Sequence, residues 1–213
     1  MNWFTSDLHL NHHNIIEYCK RPFESTKHMN EQLVQRWNEK ILDSDTVYVV
    51  GDMFLGDHTS AARLIRDLRG HKVLISGNHD RSPRTMKECG FAEVFQRKSI
   101  TLQDGRRVIM CHKPLPDSVI RDYDMQVHGH RHSGPIVTGR RVNVCVDLWD
   151  FAPISEERLC GIKLEEPIID HVEVTSADGM VNVSANVRKE DLEGLIDHLQ
   201  DYARTLWYTE RNN

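Results

Sequence analysis

The sequence predicts an α/β protein in which two sheets pack face to face with helices outside, followed by a ββα extension. Three observations predict it. Strand-like and helix-like segments alternate over residues 1–76, the pattern of a sheet with crossover helices. Between residues 98 and 147 the rhythm changes to hairpins and short strands. Near residue 165 it changes again, to an alternating hairpin and one amphipathic helix.

Residues 1–6 read as a buried strand that begins almost at the first residue. Residues 28–43 place Met29, Leu33, Val34, Trp37, Ile41 and Leu42 at helical spacing, so they form an amphipathic helix with an apolar core stripe. "TVYVV" (46–50) is β-branched and aromatic, hence a strand. Residues 59–70 form a second helix, with Thr59 or Ser60 as N-cap and Gly70 as stop. "KVLIS" (72–76) is a strand again. "KSITLQDGRRVIMCH" (98–112) has two strand-like runs around Asp104-Gly105, a hairpin signal. Residues 125–129 and 141–147 add short strands. In the tail, 171–187 alternates about an Asp178-Gly179 turn, and 189–207 carries Leu192, Leu195, Ile196, Leu199, Ala203 and Leu206 on one helix face. The expected division is a domain over 1–164 and an extension over 165–213. The extension carries no catalytic signature and reads as packing, or as a subunit contact through which a homo-oligomer would form.

Composition narrows the class. The chain has 213 residues, 39% hydrophobic and 28% charged, ordinary for a soluble globular protein. Its net charge is −5, whereas nonspecific nucleic-acid binding uses a basic surface; a nucleic-acid partner is therefore not favoured. The longest apolar runs are strand-length, far below the roughly 20 residues of a spanning helix, so no membrane partner is expected. The start lacks a basic segment followed by an apolar core. Five scattered cysteines without CxxC spacing argue for reduced thiols and a cytoplasmic location.

The chemistry collects where the strands end. The first run ends in Asp7-Leu8-His9, the second in Gly51-Asp52, the third in Gly77-Asn78-His79-Asp80. The hairpin's second strand ends in His112, and the strand at 125–128 in Gly129-His130-Arg131-His132. Singly, each reads as a turn or strand-end residue. Jointly they point to one crevice, because loops at the carboxyl ends of strands converge. Carboxylate oxygens and neutral imidazoles suit Mn, Fe, Zn or Co. Seven groups exceed the four that a structural zinc takes, and suffice for two ions sharing one carboxylate.

The ordered set "DLH", "GD", "GNHD", "CHKP" and "GHRH" resembles the signature of the calcineurin-like metallophosphoesterases, over about residues 1–160. "HNIIEYCKRPF" (13–23) and "NVCVDLWDFAPIS" (143–155) look like a small bacterial and phage branch. The resemblance implies a four-layer α/β/β/α sandwich and a centre of two divalent ions, with Mn the first choice in vitro. It implies Asp7, His9 and His132 on the first ion, Asn78, His112 and His130 on the second, and Asp52 between them. His79 would stand beside the metals as a catalytic group, with Asp80 orienting it. His12, Asn14, Arg81 and Arg131 are candidate substrate contacts; His12 and Asn14 read equally as a solvated loop, and Arg81 and Arg131, each taken singly, read better as plain surface charges. The implied reaction is hydrolysis of a small phosphodiester or nucleotide by a metal-bound hydroxide. Protein or small-molecule phosphomonoesters are the alternative substrates, and a non-catalytic interaction module is the alternative from another class.

Overall fold

The structure, a computed structural model, describes residues 1–164, 172–177 and 180–185. The chain divides into two units, Met1–Leu164 and Glu165–Asn213. In the first unit the elements run β1 (Asn2–Thr5), α1 (Asn14–Tyr18), α2 (Thr26–Lys40), β2 (Thr46–Val49), α3 (His58–Asp67), β3 (His71–Ile75), α4 (Pro83–Cys89) and β4 (Glu93–Phe95). They continue as β5 (Lys98–Thr101), β6 (Arg107–Met110), α5 (Asp117–Ile120), β7 (Met125–His128), β8 (Val137–Thr138), β9 (Arg141–Asn143), β10 (Ile154–Ser155) and α6 (Glu156–Cys160). In the second unit, β11 (Val172–Ala177) pairs antiparallel with β12 (Met180–Ala185). The expected Asp178-Gly179 turn and the helix over 189–207 lie outside the described residues.

Two five-stranded sheets make up the first unit. One has the order β10-β1-β2-β3-β4, with β1 to β4 parallel and β10 antiparallel at the edge. The other has the order β5-β6-β7-β9-β8, with β6, β7 and β9 parallel inside two antiparallel edges. Side chains alternate across a strand, so each strand feeds two cores. From β2, Val47 and Val49 join Leu33, Trp37, Ile65 and Met86 beneath the helices. Tyr48, beside them, joins Phe4, Val73, Val108, Met110, Val127 and Val142 between the sheets. Ile109 turns the other way, onto Leu115 and Ile120 under α5. The result is the α/β/β/α order of layers.

The edges of the elements differ from the sequence expectation in detail. The second long helix starts at His58, with the Asp57 carboxylate accepting from Ser60 N–H, and stops before Gly70. The strand expected over 141–147 ends at Asn143, and Val146–Leu148 forms a turn of 3-10 helix. A parallel bridge between Ser6 and Cys145 ties the exit of β1 to the segment after β9. It brings the carboxyl ends of the two sheets together.

Candidate metal centre

Asp7 and His9 follow β1 in left-handed backbone, at φ 58° and 50°. Asp52 follows β2 at φ 55°, and His130 follows β7 at φ 69°. Such values are uncommon outside glycine, and they cluster at functional sites where the surroundings enforce them. Asp7 N–H donates to Gly51 O at 2.9 Å and His9 N–H to Asp52 O at 3.1 Å, so the β1 and β2 exits hold each other. Glycine is required where the loops close. A Cβ at Gly129 would run into the Asp7 carboxylate.

The site gathers around Asp52 Oδ2. His112 Nε2 lies 3.3 Å away, His9 Nε2 3.7 Å and His79 Nε2 3.9 Å. The other oxygen, Oδ1, accepts from His79 N–H at 2.9 Å. One donor atom each from Asp7, His9 and Asp52 lies within 4.8 Å of the others, and the same holds for Asp52, His112 and His130. His132 Nε2 lies 3.7 Å from Asp7 Oδ1, and its ring centre is 5.1 Å from that of His9. Six of the seven expected ligands therefore meet at one place. Asn78 is exposed on the loop that also carries His79.

Do these groups fit a metal? His112 Nδ1 donates to Val50 O at 2.9 Å, so Nε2 is the nitrogen left to offer a lone pair to a metal. Both His112 Nε2 and His9 Nε2 are buried and lack a hydrogen-bond partner. Leaving a buried polar atom unsatisfied costs about 1–3 kcal/mol, so two such nitrogens near one carboxylate call for partners. Divalent cations beside Asp52 would fit: each would take a lone pair and share the charge of the carboxylate. Protonation states agree. Burial is the main influence on His9 and pushes it down to about 3, so the ring is neutral. Burial likewise lowers His130. Burial is the largest influence on Asp52 and raises it, but His112, the His79 N–H and His9 together outweigh it and hold the carboxyl at about 2. His112 differs: burial lowers it, but the Asp52 and Asp7 carboxylates overcome this and leave it raised toward the imidazolium, so a cation there would take the place of the Nε2 proton.

The remaining expected residues separate. His12 adjoins the cluster, its Nδ1 3.2 Å from His9 Nδ1. The Asn14 amide donates to Tyr18 OH, and Arg81 to Gly56 O at 3.3 Å. Arg131 is exposed. Asp80 departs from its expected task. Its carboxylate accepts from the N–H groups of Asp52, Met53 and Gly77 at 2.8–2.9 Å, and so joins the β2 and β3 exits instead of holding the His79 ring. Adjacency in sequence suggested the wrong partner; three backbone amides converge on it more closely.

Sequence reasoning missed a buried group behind Asp7 and His132. Arg21 and Asp147 form a two-point ion pair there, and Asp147 Oδ2 lies 2.8 Å from His132 Nδ1. Ser6 Oγ donates to Asp7 Oδ2 at 2.6 Å, and Cys145 Sγ lies 3.2 Å from Asp147 Oδ2. The only sequence signal was that Arg21 and Asp147 fall in the segments 13–23 and 143–155, which carried a family echo without a role.

Two facing sheets with carboxylates and imidazoles gathered at their carboxyl ends define a metallophosphoesterase-type sandwich. The chain belongs to the calcineurin-like phosphoesterases, whose family model matches residues 3–134. It is 32% identical over 162 residues to MJ1445, an uncharacterized protein of Methanocaldococcus jannaschii, covering 72% of this chain and 85% of that one. It is 28% identical over 196 residues to the Gene 66 protein of Mycobacterium phage D29, covering 77% of this chain and 97% of the phage protein. Among solved structures it resembles AQ665, a protein of unknown function from Aquifex aeolicus. There the TM-score is 0.63 and the identity 26%, over 75% of this chain and 97% of the other. No helix among the described residues is long and apolar enough to cross a membrane.

Proposed function

We propose that the protein is a phosphoester hydrolase that works with two divalent cations on a small phosphodiester, with phosphomonoesters as the second substrate class. The observation that carries this is the pair of buried, unpartnered imidazole nitrogens 3.3 and 3.7 Å from Asp52 Oδ2. Asp7, His9 and His132 would hold the first cation and Asn78, His112 and His130 the second, with Asp52 available to both. When bound, such a pair supplies an acidified water near neutral pH and positive charge against the phosphoryl oxygens.

The chain's own groups do the rest. Asp80 ties the Asp52 loop to the Gly77 loop, so Asp52 and His79 keep a fixed separation. The His79 backbone is pinned to Asp52 Oδ1 while its ring stays 43% exposed, free to meet a substrate at the rim. From there His79 donates a proton to the leaving oxygen, or as imidazolium stabilises the phosphoryl oxygens. His12, next to His9, is placed to contact the same substrate. Among the described residues the first unit is taken up by the sandwich itself, with no separate cap, which supports an accessible site and a small substrate.

The test combines metal analysis with hydrolysis of bis-p-nitrophenyl phosphate and p-nitrophenyl phosphate in Mn²⁺. Asp52→Asn is expected to lose bound metal and activity together. His79→Ala is expected to keep its metal and lose roughly 10²–10⁴-fold in kcat, the usual contribution of a positioned proton donor. A metal-loaded wild type that cleaves no phosphoester with Mn, Fe, Zn or Co would overturn the reading in favour of an interaction module.

A further inference from the structure

Behind the first cation position lies a charged network that the reaction itself does not use. The Arg21 side chain has no exposed surface, and all five of its N–H donors are engaged. Nε and Nη2 donate to the two oxygens of Asp147, each at 2.8 Å. Nη2 also donates to Asp7 O at 2.7 Å, and Nη1 to Leu8 O at 2.9 Å and Met29 Sδ at 3.5 Å. One guanidinium thus grips successive carbonyls of the left-handed turn that carries Asp7 and His9. Asp147 Oδ2 in turn accepts from His132 Nδ1 at 2.8 Å. That bond leaves the lone pair on Nε2, which lies 3.7 Å from Asp7 Oδ1. Asn143 completes the support, its amide donating to Arg131 O at 2.7 Å between His130 and His132.

We propose that Arg21 and Asp147 are positioning residues for the first cation. Arg21 sets the Asp7–His9 turn, and Asp147 fixes His132 in the tautomer whose Nε2 faces Asp7. The inference rests on the metal-dependent reading above. It explains why a full charge pair is buried beside the site when an apolar pair would fill the space: a carboxylate behind a metal-binding imidazole selects its tautomer and orientation. The sequence segments around Arg21 and Asp147 meet here.

The decisive variant is Asp147→Asn. It replaces one carboxylate oxygen with an N–H donor and removes the negative charge, so it cannot accept from Arg21 at both positions, and His132 loses the anionic acceptor that fixes its tautomer. Calorimetric titration of metal-stripped protein with Mn²⁺ is expected to show two tight ions in wild type. In Asp147→Asn, one of the two is expected to weaken about 10–100-fold, the usual cost of removing such a partner. Arg21→Lys, with three donors in place of a planar fork, is expected to weaken the same ion. In metal-free protein labelled with ¹⁵N-histidine, the His132 signal, assigned by its absence in His132→Gln, is expected to report an Nδ1–H tautomer that changes in Asp147→Asn. A buried pair that only stabilised the core would lower the unfolding midpoint and leave both readouts alone. Unchanged affinity for both ions in folded Asp147→Asn would overturn the inference and leave the metal reading standing. Should that variant not fold, an Nε2–H tautomer for His132 in wild type would overturn it equally. A wild type that binds no divalent cation would sink the metal reading, and this inference with it.

Discussion

Gly51 adopts φ 92°, and a Cβ there would run into the His112 ring and the Gly77 backbone. Two costs therefore coincide at one position. Left-handed backbone costs a non-glycine residue about 1–2 kcal/mol, and the methyl must also displace the imidazole that faces Asp52. Gly51→Ala is expected to lower unfolding stability by at least ~1 kcal/mol and to lose metal at the Asp52–His112 side, measured by urea unfolding and metal content. Retention of both would mean that the two loops are not in contact. The same crowding explains what was legible at this scale. Asp7, His9, Asp52, His112, His130 and His132 each stand just past a strand, and strands deliver their ends to one place. Arg21 and Asp147 stand 126 residues apart, with no periodicity to relate them, and their pairing depends on how both sheets close. Asp80 was visible as a site residue, but its bonds to three amides depend on loop paths that sequence adjacency does not encode.

Helix ends show a systematic offset between sequence pattern and structure. The apolar stripe of α2 begins at Met29, and the pattern placed the start at residue 28. The helix begins at Thr26, capped by Ser25, whose hydroxyl accepts from His28 N–H at 3.2 Å. Hydrophobic period marks only the buried face, while the cap lies earlier, in solvent. The same reasoning accounts for Asp57 capping α3 ahead of Thr59 and Ser60. Strand alternation was more dependable, because Val47, Tyr48 and Val49 report both faces of β2 directly. The short strands β4, β8 and β10, of two or three residues, are too brief to carry a period. Ser25→Ala is expected to cost about 1 kcal/mol in urea unfolding and to leave metal affinity unchanged. A larger loss, or a change in metal binding, would mean that the start of α2 also supports the site.

At the scale of the molecule, the change from βαβ rhythm to hairpins marked where one sheet gives way to the other. The pairing order inside each sheet, set by long-range closure, left no local trace. Arg21 and Asp147 act at this scale too, because they join the loop before α2 to the segment after β9, one from each sheet's end. Burial alone would raise the Asp147 carboxyl, but its bonds to His132 and Arg21 outweigh that and hold it at about 2, against an ordinary 3.8. A carboxyl depressed on folding contributes stability that is fully present above the unfolded value. That contribution is lost as pH falls through about 3.8 toward about 2. A shift of this size corresponds to about 2 kcal/mol. Asn cannot titrate, so comparison with Asp147→Asn reads out this group together with the bonds it makes to His132 and Arg21. The stability gap between wild type and the variant is read by urea unfolding of metal-free protein from about pH 5 downward. It should narrow by about 2 kcal/mol as the pH approaches 2. A gap that stays level through that range would mean that Asp147 is not ionised against Arg21 in the folded protein, and that the two sheet ends are joined by packing alone.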